Sequence, residues 1–136
     1  MKEKIALSIR NEQDFGQNNK DLIEYSTTAM FYKKNQQYYI HYFDENYQGA
    51  STFIKIEAAG ERLSIYRYKP ELQEFFQAGK TTTGKMATPY GNLKLKIDTQ
   101  SLEIDLAGKN IAIKYSFYLE GKFISKNYLR ISWEIP

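Results

Sequence analysis

Ile111-Ala112-Ile113-Lys114-Tyr115-Ser116-Phe117-Tyr118-Leu119 places a large apolar or aromatic side chain at every odd position. A repeat of two is that of an extended chain, in which successive side chains point to opposite faces, so the stretch reads as a strand with one buried face. The same parity resumes beyond Gly121-Lys122, where Phe123, Leu129, Ile131, Trp133 and Ile135 are all odd-numbered. Two odd faces meet across a hairpin only if the paired numbers sum to an even value. A two-residue loop would set Phe117 opposite Lys126, so the junction requires a three-residue loop or a bulge.

Working outward, the alternation covers most of the chain and no helical period interrupts it. Ile5, Leu7 and Ile9 alternate with Ala6, Ser8 and Arg10, and residues 22–33 are rich in β-branched and aromatic types. Asn35-Gln36 reads as a two-residue turn, which sets Phe31 opposite Ile40 and Met30 opposite His41. Thr52, Ile54, Ile56 and Ala58 form one face, and a turn at Gly60-Glu61 leads to Leu63, Ile65 and Arg67. Pro70 stops that strand because it has no N–H for the ladder. Residues 72–78 return, residues 79–91 read as a turn-rich connection, and residues 92–98 and 102–106 read as two further strands. The expectation is an all-β fold over residues 1–136: a closed antiparallel up-and-down barrel of about 8–10 strands, with a two-sheet sandwich as the alternative. A barrel of this size either fills with its own side chains or holds one small ligand.

Composition narrows the function classes. The chain has 136 residues, enough for one domain, and no cysteine, which excludes disulfides and thiolate metal sites. Neither a signal-like apolar run in residues 1–10 nor an apolar stretch of roughly 18 residues is present, so a soluble cytoplasmic protein is expected, with no membrane partner. The net charge is +3; residues 80–136 carry 9 Lys/Arg against 5 Asp/Glu, an excess too small to call for nucleic acid. There is no valine beside 14 isoleucines, the mark of AT-rich codons, so the 12 tyrosines are partly codon usage rather than a binding surface.

Phe76-Gln77-Ala78-Gly79, Thr88-Pro89-Tyr90-Gly91-Asn92-Leu93-Lys94-Leu95 and Thr99, with the earlier Thr27-Thr28-Ala29, residues 42–45 and residues 63–67, occur in an order that resembles the YwiB-like family of small bacterial calycin-type β-barrels. The likeness covers most of the chain and rests on the order of several weak motifs. Ala29 departs from it, standing where that family tends to have glycine. The resemblance implies a barrel shaped like lipocalins and fatty-acid-binding proteins, in a family of unknown function. It implies no activity.

Gly79-Lys80-Thr81-Thr82-Thr83-Gly84-Lys85 has the spacing of a phosphate-binding loop, but Met86 stands where Ser or Thr must hold Mg²⁺. Pro89 and Gly91 follow in place of a helix, and a flexible inter-strand loop is the expectation. His41 is the sole histidine, which closes triad and multi-histidine metal chemistry and leaves an ordinary strand residue. Asp44 and Glu45 are adjacent, so in a strand they point apart, and no paired carboxylates for hydrolysis emerge. No catalytic residue, metal ligand or cofactor is assigned.

Arg67 shares inward parity with Leu63 and Ile65. Two readings stand: a cross-strand ion pair with Glu74, or an anchor for a ligand carboxylate or phosphate. Tyr25, Tyr42, Tyr115 and Trp133 fall on the same face, as walls of a pocket or as filling, and Thr27, Ser125 and Asn127 add inward polar groups. The expected function is non-enzymatic binding of a small amphipathic or anionic ligand in the interior. The alternative is a protein- or RNA-interaction module using Lys94, Lys96, Lys114, Lys126 and Arg130 interleaved with Tyr118 and Tyr128. The oligomeric state is left open between monomer and homodimer.

Overall fold

The computed structural model describes residues 2–57 and 61–136. The strands are β1 (Lys2–Asp14), β2 (Lys20–Lys34), β3 (Gln37–Asp44), β4 (Ala50–Glu57), β5 (Arg62–Arg67), β6 (Leu72–Gln77), β7 (Thr81–Thr88), β8 (Gly91–Asp105), β9 (Asn110–Leu119) and β10 (Lys122–Glu134). A 3-10 turn at Glu45–Tyr47 joins β3 to β4. Each strand pairs antiparallel with its neighbours in sequence, and β1 also pairs with β10, closing the barrel. Closure leaves no open sheet edge, which is why a chain of amphipathic hairpins adopts this form. All ten strands share the one sheet, so the up-and-down barrel holds and the sandwich does not. Among the described residues no helix is long and apolar enough to cross a membrane.

Parity decides what lies inside. Ile5, Leu7, Ile40, Ile54, Ile56, Leu63, Ile111, Ile113 and Ile131 are all buried at inward positions. Each such burial is worth about 1.5–3 kcal/mol. Asn35-Gln36 makes the two-residue turn, with Phe31 opposite Ile40 and Met30 opposite His41. Between β9 and β10 the register shifts at Ile124: Phe123 pairs with Tyr118, but Ser125 pairs with Phe117. That bulge is what the two odd faces demanded. Ala29 sits buried within an unbroken β1–β2 ladder, paired with Ile5. Ala58 and the turn at Gly60 lie outside the described residues.

Two expectations along the chain are corrected. Residues 79–91 are not simply a flexible connection; Thr81–Thr88 is β7. Its inward positions are Thr82, Gly84 and Met86, of which only Met86 is a large apolar residue, so no apolar alternation shows. Gly84 has a packing reason: a Cβ there would collide with the Gln73 carbonyl of β6. Only two residue pairs join β6 to β7, Leu72 with Met86 and Gln73 with Lys85, and the Thr82 hydroxyl donates to the Phe75 carbonyl beyond them. The phosphate-loop spacing is thus the signature of a strand crossing its neighbour closely.

The segments 92–98 and 102–106 are not two strands but halves of β8. Thr99 pairs with Tyr115 and Ser101 with Lys114, so Gln100 is a bulge that switches the inward parity from odd to even. In sequence, a parity break with no turn residue nearby reads as a strand boundary. It is a bend within one strand.

Candidate functional site

The odd-numbered strands all run toward the same end of the barrel, and the interior differs between the two ends. One end is filled. Trp133, 7% exposed, stacks on Phe31 with ring centroids 5.6 Å apart, and Phe31 stacks on Tyr38 at 5.8 Å. The end reached by β1, β3 and β5 contains a cavity of about 310 Å³. Small-molecule pockets begin at roughly this size.

The cavity floor is aliphatic, with Ile9, Ile54, Ile65, Leu129 and Ile131. Its polar side is built by strand ends. Arg67 closes β5, Asp44 closes β3 and Glu74 lies near the start of β6, all on inward positions. Tyr25, Tyr42 and Tyr115 complete that side, and Tyr47 from the 3-10 turn lies over Arg67.

Arg67 is 5% exposed. Its Nε donates to the Pro70 carbonyl at 2.9 Å, and its guanidinium carbon lies 3.6 Å from the centroid of the Tyr47 ring. The ring face shields the cation and attracts it electrostatically. The terminal Nη1 and Nη2 donors make no hydrogen bond to any described residue.

The expected cross-strand pair is not formed. Arg67 stands opposite Leu72, and Glu74 opposite Ile65, because four residues separate β5 from β6. That register makes Arg67 and Glu74 diagonal neighbours, and no ion pair within 4.0 Å joins them. Burial pushes the Glu74 carboxyl up to about 7 even though the Arg67 charge pulls the other way. Burial likewise raises Asp44, opposed by the Asn46 backbone N–H, which donates to Oδ1 at 3.0 Å, and by Arg67.

The tyrosines act as neutral polar groups. Tyr25 and Tyr42 share a hydroxyl–hydroxyl hydrogen bond of 3.3 Å. Burial pushes Tyr25 up to about 12 and raises Tyr42 further. Tyr115 packs edge-on against Phe76 with centroids 4.9 Å apart, and burial, then the charge of Glu74, raises its hydroxyl.

Of the six residues expected at the site, Arg67, Glu74, Tyr25, Tyr42 and Tyr115 meet around this cavity. Trp133 does not; it packs on Phe31 at the filled end, because its partner in the ladder is Leu7 and not the polar stretch beyond. Of the inward polar residues, Ser125 and Asn127 are buried and satisfy each other, Asn127 Nδ2 donating to Ser125 Oγ at 2.9 Å. Sequence reasoning missed Asp44 and Tyr47. Asp44 shares even parity with Tyr42 and Ile40, a signal that was available; Tyr47 lies in a turn, where no period assigns a face.

Elsewhere, His41 points outward, hydrogen-bonded to Ser51 Oγ at 2.8 Å and stacked on Phe53. No group of three His, Cys, Asp or Glu suited to a metal ion occurs among the described residues.

A family profile described as a domain of unknown function, DUF1934, matches residues 7–131. The chain belongs to the DUF1934 family. It is similar to the uncharacterized beta-barrel protein YwiB of Bacillus subtilis (strain 168), at 28% identity over 119 residues, covering 85% of this chain and 83% of that protein. The crystal structure of YwiB aligns with a TM-score of 0.82 over 99% of this chain and 93% of that one, at 23% identity. The shared element is the barrel, so the resemblance read from the ordered motifs holds for family and fold.

Proposed function

We propose that this DUF1934 barrel is a non-enzymatic binding protein that holds one small amphipathic molecule, its polar or anionic head at Arg67 and its apolar part on the aliphatic floor. The observation that carries the reading is Arg67 itself. A guanidinium buried to this degree is costly unless its donors are satisfied, and among the described residues only its Nε has a hydrogen-bond partner, while the group lines the cavity. The remaining wall is mostly apolar with a few convergent polar groups, the usual make-up of a ligand pocket. A cytoplasmic setting belongs to the same proposal, in keeping with a fold that contains no disulfide.

Native mass spectrometry of protein purified from its own source tests this. A small molecule retained at one equivalent, and released by the Arg67→Met substitution, is expected. Protein that carries nothing, at a concentration where other ligand carriers retain theirs, would argue the cavity has no cargo.

The second reading, an RNA- or protein-interaction module on the outer Lys/Tyr strands, has weaker support. Lys96 lies 4.5 Å over Tyr118, while Lys114 and Arg130 lie 5.3 and 4.8 Å from Tyr128. Ring faces already covered by the chain's own cations are poor platforms for stacking bases. Salt-dependent retention of single-stranded RNA would favour this reading, and no retention at low salt counts against its RNA form.

A further inference from the structure

The cavity contains one cation and two acids, and none of the three forms an ion pair within 4.0 Å among the described residues. Resting on the cavity reading above, we infer that the molecule held there is a zwitterion, a carboxylate and an ammonium on one small framework, as in a free amino acid with an apolar side chain. The carboxylate takes the open Nη edge of Arg67, and the ammonium takes Glu74 with Asp44.

Charge arithmetic separates this from the simpler ligand classes. A plain anion at Arg67 adds a third negative group beside Asp44 and Glu74. A plain cation at Glu74 faces Arg67 across the same space. A zwitterion pairs with both signs at once and adds no net charge to a partly dry site, where unpaired charge is most costly. Asp44 is 6% exposed, and its carboxylate accepts from the Asn46 N–H and from the Tyr25 hydroxyl, neither of which neutralises its charge; Glu74 has no described hydrogen-bond partner. The charged and titratable groups facing Glu74 are Arg67 of β5, Tyr42 of β3 and Tyr115 of β9. The two tyrosines are neutral and supply polarity without competing charge. With no ammonium present, burial keeps Glu74 near half-protonated at neutral pH; an ammonium beside it draws that proton off. The apolar floor then receives the side chain, and a cavity of about 310 Å³ suits a molecule of amino-acid size.

A ligand series on the wild-type protein tests the assignment, followed by calorimetry and amide NMR at pH 7.5. The probes are L-phenylalanine and L-leucine (zwitterions), their N-acetyl derivatives (anions), their amides (cations) and decanoate (an amphipathic anion). The zwitterions are expected to bind, with each blocked derivative roughly tenfold weaker, the loss of one charge-assisted contact. Glu74→Gln keeps the shape and removes one of the ammonium's two partners, so it should reduce the preference for the free amino acid over its N-acetyl form several-fold. The amide spectrum verifies that the variant is folded, and if it is not, the wild-type series decides alone. N-acetyl derivatives or decanoate binding as well as the zwitterions overturns the inference while the cavity reading stands. If no probe binds, the cavity reading falls and the inference with it.

Discussion

Arg67 stays inside because its position leaves no alternative. It is the last residue of β5, its parity points inward, and the Pro70 carbonyl and the Tyr47 ring meet it there. The neighbouring Glu74 carries the consequence for stability. A carboxyl raised from 4.5 to about 7 on folding binds its proton more tightly in the folded state. Its contribution is fully favourable below 4.5, is lost as the pH rises to about 7, and changes no further above that. Wild-type protein should therefore lose on the order of 2 kcal/mol through this group across that window. Glu74→Gln removes the dependence, so its stability relative to wild type should grow between pH 5 and pH 8, read from urea midpoints. A difference that stays constant over that range sinks the assignment. Asp44, raised in the same direction by burial, leaves a smaller slope of the same sign in the variant.

Among the elements, β7 is the one held most unusually. Its ladder to β6 has two pairs, against eight to β8. The shortfall is offset by the Thr82 hydroxyl reaching the Phe75 carbonyl, by the Ala87 N–H donating to the Glu71 carbonyl at 2.8 Å, and by the missing side chain at Gly84. Gly84→Ala should cost about 2 kcal/mol, since the obstacle is a backbone carbonyl that cannot swing aside. Thr82→Val should cost about 1 kcal/mol by leaving that acceptor unmet. Denaturant titration of both variants tests the pair, and a neutral Gly84→Ala means the strands can move apart. The residue types of this element were legible, but its state was not: a strand whose inward positions are Thr, Gly and Met carries no alternation to read.

Across the whole molecule, the barrel has one thin seam and two unlike ends. Hydrogen exchange should show the interior amides of β6 and β7 exchanging ahead of those in the β1–β2, β1–β10 and β9–β10 ladders, each of which runs nine or more pairs. Equal protection on both sides of the barrel would refute a seam. The single tryptophan, Trp133, is stacked in the filled end. Its fluorescence should follow unfolding yet remain unchanged when a ligand enters the cavity, whereas Phe31→Leu should shift it in the empty protein. A ligand-induced change in emission would place the binding event at the other end.

The order of side chains alone determined that the chain is all-β, where most strands lie, that the β9–β10 junction needs a bulge or a three-residue loop, and that Arg67 faces inward with Tyr25, Tyr42 and Tyr115. A period of two records sidedness, and sidedness is nearly all a closed barrel needs. Height along the barrel axis is another matter: it depends on strand register, set by four residues between β5 and β6, by the bulge at Gln100 and by the close approach at Gly84. So only the tertiary structure set Glu74 diagonal to Arg67 instead of opposite it, brought Asp44 and Tyr47 to the cavity, and left Trp133 at the far end. Two residues with the same parity share an interior, but only the folded register says whether they meet.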